Sequence, residues 1–395
     1  MLPQGLFGIK VGFILGCMKR NQKSCPRCGT PMLKNGHDSN GKQRWRCREC
    51  GKTGRWINDT TARDLGFFLD YLLGKTSQRD LPGKGRTFRR KAEKLWELWP
   101  IWFPDGTVHR VVHIDGIYLR RIAVVLIAYA DGHVVGWHVA RSESRQAYKA
   151  LMGKIPAPEM VVCDGGTGFA SARRECWLET RVQRCVFHVF NQAKRYTSMH
   201  PKTLAGMELY QLAKQLFAVK TPDQRNKWVT DFFIWTKRYE GFLAEKTLNE
   251  RGRWVNAHDR LVKARNTLKT LTKSGEMFTF LEADMYRDGE VIGSLPSTNN
   301  AIEGGVNRQL RTMLGEHRGW RINRQLRAIG WWCHLHTETP LPPAQLLRIM
   351  PRDPEITAAY EAIAALYANP NGTPVWGTTI QWQDLHHQTP YRQDY

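Results

Sequence analysis

Three acidic residues, Asp115, Asp164 and Glu303, sit in contexts that suit metal-dependent nuclease chemistry. Asp115 lies in VVHIDGIYL, among the β-branched and aromatic residues of a buried strand. An unpaired carboxylate is costly in such a place and calls for a cation. Asp164 ends the apolar run EMVVCD and is followed by Gly165 and Gly166, which let the backbone come close to a ligand or metal. Glu303 belongs to STNNAIEGGVNRQLR, read as a helix capped by Ser297 or Thr298, with Asn299 and Asn307 one turn to either side on the same face. Hard oxygen ligands from three elements suit magnesium or manganese. Two such ions about 3.5–4 Å apart can activate a water or a 3′-hydroxyl and stabilise the leaving oxygen of a phosphoryl displacement. Taken singly, each acid is more often a salt-bridge partner, and it is the order strand, strand, helix that joins them.

A second metal chemistry stands near the start of the chain. Cys25, Cys28, Cys47 and Cys50 form CxxC…CxxC within CPRCG and RWRCRECGK, a spacing that lets two knuckles present four thiolates to one structural zinc. Gly29 and Gly51 follow the two pairs and supply the positive φ that a tight knuckle requires. The other five cysteines are scattered and no secretory signal precedes them, so metal binding is expected rather than disulfides, in a reducing cytoplasm and at the nucleoid.

The chain of 395 residues carries a net charge of +23, and residues 1–100 hold 21 of the 59 Lys and Arg against 8 of the 36 Asp and Glu. Over half of the excess therefore lies in the first quarter, the expected docking end for double-stranded DNA, whose phosphates attract such a surface in a salt-sensitive way. The apolar opening LFGIKVGFILGCM is interrupted by Lys10 and is too short to span a bilayer, so no membrane role is expected.

The elements that position these residues follow from periodicity. Leu65, Phe68, Leu69 and Leu72 recur at helical spacing up to Gly74, SQRD from Ser77 starts a short second helix, and PGKG breaks it. A third helix from Thr87 carries Phe88, Ala92, Leu95 and Trp99 on one face and leaves Arg89, Arg90, Lys91 and Lys94 for DNA, a helix-turn-helix pattern. Strands follow at 111–117, 122–130 and 133–140, the last two joined by Asp131-Gly132. Next come a helix capped by Ser142, the strand ending at Asp164, a helix near 170–179 and the strand VQRCVF, which together give the ribonuclease-H-like order. Residues from about 190 to 296 read as an α-helical insertion, and after Pro340, Pro342 and Pro343 come one alanine-rich helix, 354–368, and an aromatic tail.

CPRCG, HIDG, VVCDGG, CVFH, NNAIEGGVNRQLR, HRGW and GWWCHLH together resemble the DDE transposases of bacterial Mutator-type insertion sequences, within a subgroup that begins with a zinc ribbon. The resemblance implies an α/β, ribonuclease-H-like catalytic core at 106–190 and 297–340, interrupted by the α-helical insertion at 191–296. A zinc ribbon at 21–55 and a helix-turn-helix at 60–100 would precede it, and a C-terminal helix and tail at 341–395 would follow. It implies Asp115, Asp164 and Glu303 as the metal-binding triad for two Mg2+ or Mn2+, and Cys185 and His188 as a C-x-x-H element that shapes the active site. A buried cysteine with a hydrogen-bonded histidine is the plainer reading of that pair, and a second zinc site using Cys176 a lesser one. Arg308, Arg311, Arg318 and Arg321 would contact phosphates near the scissile bond. Trp254 would stack on DNA bases as an insertion-domain tryptophan does in related transposases, although core packing is favoured for it as for Trp228, Trp235, Trp331 and Trp332. The implied function is binding of terminal inverted repeats and metal-dependent strand cleavage and transfer, by a homodimer or larger assembly. The alternatives are a DNA-binding regulator without catalysis and a structure-selective nuclease of the same fold.

Overall fold

A computed structural model describes residues 23–25, 27–55, 60–282, 286–287, 290–291 and 295–366. The apolar opening segment and the aromatic tail lie outside the described residues. The chain divides into two compact units, Met1–Thr61 and Ala62–Tyr395.

In the first unit, β1 (Met32–His37), β2 (Gln43–Cys47) and β3 (Thr53–Arg55) form an antiparallel sheet in that order. Asp38 shapes the turn between the first two, its Oδ1 accepting from the backbone N–H groups of Asn40 (2.9 Å) and Lys42 (2.8 Å). The apolar interior consists of Cys25, Met32 and Cys47, with Trp45 and Cys50 packed against them. So small a core does not stabilise a fold by burial alone.

The second unit begins with α1 (Thr61–Leu73), which stops before Gly74, and α2 (Arg86–Leu95). The short helix expected from SQRD is a single 3-10 turn, Gln78–Asp80, with Ser77 as its N-cap. It goes no further because Pro82 opens a second such turn, in which Gly83 and Lys84 take positive φ. Phe88, Ala92 and Leu95 are buried as expected, and Phe88 meets Phe67, Phe68 and Tyr71 of α1. This core continues without a break into Ile117, Ile127, Leu310, Leu326 and Ile329, so the two helices share one hydrophobic interior with the sheet.

That sheet has five strands. They are β4 (Val111–Leu119), β5 (Ala123–Ala130), β6 (His133–Ala140), β7 (Met160–Cys163) and β8 (Arg181–Arg184), in the order β6-β5-β4-β7-β8. β5 is antiparallel to both neighbours, whereas β4, β7 and β8 are parallel. Asp131 (φ 50°) and Gly132 (φ 88°) make the hairpin turn that D-G promises. α3 (Arg145–Met152) and α4 (Thr167–Cys176) connect the parallel strands. The N-cap of α3 is Ser144, whose hydroxyl accepts from Ala147 N, and not Ser142, because the chain bends after β6 through residues 141–143 and Ser144 itself is still extended (φ −87°, ψ 165°). α4 likewise begins at Thr167, directly after Gly166, and ends at Cys176, ahead of the expected span.

α5 (Val186–Thr197), α6 (Leu204–Gln215), α7 (Pro222–Arg238), α8 (Glu240–Ala244) and α9 (Asp259–Ser274) follow. Trp228 and Trp235 are buried in this helical region, as their spacing of seven suggests. The hairpin of β9 (Lys246–Leu248) and β10 (Trp254–Asn256) was not anticipated. The packing expectation for Trp254 fails: it is 70% exposed, because strands of three residues extend from the helices with no second layer to bury against. The small ladder of β11 (Tyr286–Arg287) and β12 (Glu290–Val291) comes next.

The STNNAIEGGVNRQLR segment is not an α-helix capped by Ser297 or Thr298. It is a π-helical stretch, Ala301–Asn307, with Asn300 at its N-cap, and it continues into α10 (Arg308–Glu316). π-wound backbone is uncommon and recurs at functional sites. α11 (Ile322–Leu335) buries Trp331 and Trp332, as expected. α12 (Pro343–Ile349) was not foreseen, and α13 (Asp353–Leu366) matches the alanine-rich helix within two residues at either end. Buried Arg327 of α11 pairs with Asp353 and joins α13 to the core.

Phe68 is fully buried between α2 and Trp96. Phe68→Ala is expected to destabilise the second unit by about 3–5 kcal/mol. Urea unfolding followed by a signal from the sheet should register the whole loss. A transition confined to α1 and α2 would contradict the shared interior.

Candidate active site and metal centre

The parallel register of β4 and β7 places the two aspartates. Val111 pairs with Met160, Val112 with Val161 and His113 with Val162, so the same register carried two residues further sets Asp115 beside Asp164. Asp115 stands at the middle of β4, two residues past its last pairing with β7, and Asp164 directly follows the end of β7, at the place where the order of connection reverses across the sheet, the usual place for a site in an open sheet of this kind. Asp164 Oδ1 accepts from Gly166 N at 3.3 Å. Gly165 has φ 86°, and a Cβ there would fall 1.7 Å from Cζ of Arg184, whose Nη1 donates to Gly165 O at 3.3 Å. Only glycine fits between that backbone and the guanidinium.

The π-helical segment supplies the third acid and clamps the first. Asn307 Nδ2 donates to Asp115 Oδ2 at 2.6 Å. Asn299, fully buried, donates from Nδ2 to Ile114 O at 3.1 Å and faces His113 Nδ1 at 3.0 Å. The two asparagines thus flank Glu303 on the face turned to β4, as their spacing implied. Cys185 Sγ accepts from Asn299 N at 3.2 Å and donates to Glu303 Oε1 at 3.8 Å. His188 Nδ1 lies 3.2 Å from the same Glu303 oxygen, a charge contact whose angle falls short of a hydrogen bond. The Cys185 and Glu303 side chains raise the His188 imidazole to about 10, so it is an imidazolium at neutral pH.

Asp115, Glu303, Asn307, His188 and Arg311 line a cleft of about 550 Å³. Among the described residues, two groups bring three or more ligand atoms within 4.8 Å of one another: the four N-terminal cysteines, and Cys185, His188 and Glu303. Asp115 and Asp164 stand outside that second group. Burial is the main reason that the Asp115 carboxyl rises to about 7; the charges of Glu303, Asp164 and Glu143 add to it, against one hydrogen bond from the Gly116 backbone. Glu143 carries no motif and was missed by sequence reasoning; its one signal is its place in the turn after β6. Arg184 and the His113–Asn299 contact escaped notice for the same reason, since only the folded chain brings them to the site.

The four cysteine thiols are free, and their sulfurs all lie within 4.8 Å of one another. Cys25 Sγ lies 3.5 Å from Cys50 Sγ, and Cys28 Sγ 3.4 Å from Cys47 Sγ. Four sulfurs about 2.3 Å from a common zinc would stand about 3.8 Å apart, so the set is compatible with that ion. Gly29 (φ 75°) and Gly51 (φ 68°) shape the knuckles as expected.

The basic candidates are all exposed: Arg89, Arg90, Lys91 and Lys94 on α2, and Arg308, Arg311, Arg318 and Arg321 on and after α10. Lys91 pairs with Asp64 at 2.8 Å and Arg89 donates to Lys84 O at 3.0 Å, so these two also brace α2. Arg311 alone of the eight lines the cleft with Asp115 and Glu303.

The family model for transposases of the Mutator family matches residues 87–303, from the first turn of α2 to Glu303 itself. That is more than half of the chain, and the chain belongs to this family of DNA-processing enzymes. A comparison with curated proteins finds no match. Among the described residues no helix is long and apolar enough to cross a membrane.

Raising the Asp115 pKa from 3.8 to about 7 means that the folded, metal-free protein keeps a proton which the unfolded chain has already released. Stability therefore falls as pH rises through that window. Asp115→Asn removes the penalty, and at about pH 8 without divalent metal the variant should be more stable by on the order of 2–4 kcal/mol, with the gain gone near pH 4. Chemical denaturation at the two pH values checks the sign; an equal difference at both would contradict it.

Proposed function

We propose that this transposase binds the double-stranded ends of its element and cuts and joins their 3′ ends through Asp115, Asp164 and Glu303 on a ribonuclease-H-like core. The observation that carries the reading is the alignment of Asp115 with Asp164 on parallel neighbours, beneath a helical segment that bears Glu303 and holds Asp115 through Asn307. The strand order, with three antiparallel strands followed by two parallel crossovers, supports the fold assignment.

The residues suit a pair of hard divalent cations. Their donors are carboxylate oxygens, Gly166 leaves the backbone open beside Asp164, and Asn307, 1% exposed, has an Oδ1 with no hydrogen-bond partner. Magnesium or manganese bound there would activate the attacking oxygen and stabilise the leaving one. The chain's own residues do the rest. Asn307 fixes the Asp115 carboxylate, the His188 imidazolium and Cys185 hold Glu303, and Arg311 brings positive charge to the cleft where a phosphate would lie. Arg308, Arg318 and Arg321 extend that basic surface, α2 with Arg89, Arg90, Lys91 and Lys94 engages the terminal repeats, and exposed Trp254 offers a ring to an unpaired base. Zinc held by Cys25, Cys28, Cys47 and Cys50 folds the ribbon, and two ends brought together imply at least a dimer.

Purified protein incubated with labelled element ends and a target plasmid, with and without magnesium, tests the reading. Asp164→Asn and Glu303→Gln should each lower cleavage by at least about a thousandfold while end binding stays within about twofold, and the double variant should be no worse than either single one. Binding without cleavage by the unaltered protein would favour a DNA-binding regulator, and cleavage without joined product a structure-selective nuclease.

Cys47→Ser should lose zinc and weaken end binding while the melting of the second unit is unchanged. Metal analysis together with a binding isotherm reads both effects, and undiminished affinity after zinc loss would remove the ribbon from DNA recognition.

A further inference from the structure

A fourth carboxylate stands near enough to the two aspartates for its charge to act on both. Glu143 lies in the turn between the end of β6 and the start of α3, where a glutamate side chain is free to turn towards water. It turns inward instead. A Cβ on Gly116, the residue after Asp115, would lie 2.3 Å from Glu143 Oε1, and a Cβ on Gly168, in the first turn after Asp164, would lie 2.3 Å from Glu143 O. Two glycines, one directly after Asp115 and one four residues after Asp164, thus make room for this one residue. Tyr148, buried under α3, donates its hydroxyl to Glu143 Oε2 at 3.3 Å, and the Tyr118 side chain makes a second hydrogen bond to it.

Neither tyrosine carries a countercharge, and the charges that Glu143 meets are those of Asp164 and Asp115. An acid directed at two acids is repelled unless a cation lies among them. By alternation along β4, Asp115 and Gly116 face opposite sides of the sheet, so Glu143 reaches the strand ends from the side away from Glu303. Glu303 is engaged by Cys185 and His188 on its own side, and its charge, like that of Glu143, acts on Asp115. Independently, the buried Asn307 side chain, bonded to Asp115 through Nδ2, leaves its Oδ1 unpartnered beside that aspartate, an acceptor that lacks a cation or a cation-bound water.

We propose that Glu143 is a fourth metal-binding carboxylate of the active centre, holding a divalent cation jointly with Asp115 and Asp164. This rests on the reading of those aspartates as metal ligands.

The test is Mn2+ titrated into the zinc-loaded, full-length chain, with bound ions counted by electron paramagnetic resonance for the unaltered protein, Glu143→Gln and Asp164→Asn. Glu143→Gln keeps the shape and the tyrosine contacts but removes the charge. One Mn2+ should bind about tenfold more weakly, the metal-free protein should melt higher, and the stabilisation conferred by Mn2+ should shrink. A merely structural turn residue would lower melting with and without metal and leave Mn2+ affinity unchanged. Gly116→Ala keeps the charge but displaces the carboxylate, and it should weaken the same ion should Glu143→Gln fail to fold. Unchanged Mn2+ binding in both variants, with binding lost in Asp164→Asn, overturns the role of Glu143 and leaves the aspartates standing. Absence of Mn2+ binding by the unaltered chain overturns both.

Discussion

The parallel pairing of β4 with β7 is the constraint on which the rest of the site depends. Its hydrogen bonds set two aspartates side by side where the sheet order reverses, and the apolar residues on either side of those strands keep the register from slipping. A slip of one residue would send Asp164 to the opposite face, into the interior that holds Val161 and Cys163. Hydrophobic burial that selects the register therefore also takes Asp115 out of water and brings like charges near it, and the raised carboxyl reflects the burial first and those charges second.

Around that pair the chain builds rigid support from elements distant in sequence. The π-helical segment lies almost two hundred residues beyond Asp115, yet Asn307 at its end and Asn299 just before it bond Asp115 and Ile114 O directly. Cys185, whose N–H extends the β7–β8 ladder to Cys163 O, accepts from Asn299 N and so joins the sheet to that segment. α1 and α2 continue the same interior on the far side. An element that reads as a separable DNA-binding module is thus packed onto the sheet, which couples whatever α2 touches to the scaffold of the acids.

Local patterning was sufficient for most of the elements. Runs of β-branched and apolar residues with the D-G turn located β4, β5 and β6, the run EMVVC located β7, and CxxC spacing with Gly29 and Gly51 located the knuckles; of VQRCVF, expected as one strand, only the first half is strand, since β8 ends at Arg184 and Val186 opens α5. The misreadings fall where tertiary context overrides local preference. Ser142 and Ser144 are equally good caps in sequence, and the point at which β6 releases the chain selects the second. SQRD has a helix-start signal but no apolar stripe to extend it. The winding of residues 301–307 answers to contacts with β4 that no window of fifteen residues contains.

Residue type and spacing by themselves determined the thiol cluster, the strand-borne aspartates and the basic face of α2, because each depends on backbone geometry within a few residues. Tertiary structure alone decided which acids meet, that His188 and Cys185 hold Glu303, that Trp254 projects outward, and that Glu143 turns towards the aspartates. Those facts depend on the path of the chain between distant segments. They are fixed by the packing of whole elements, through hydrophobic burial that has no direction of its own until the sheet order supplies one.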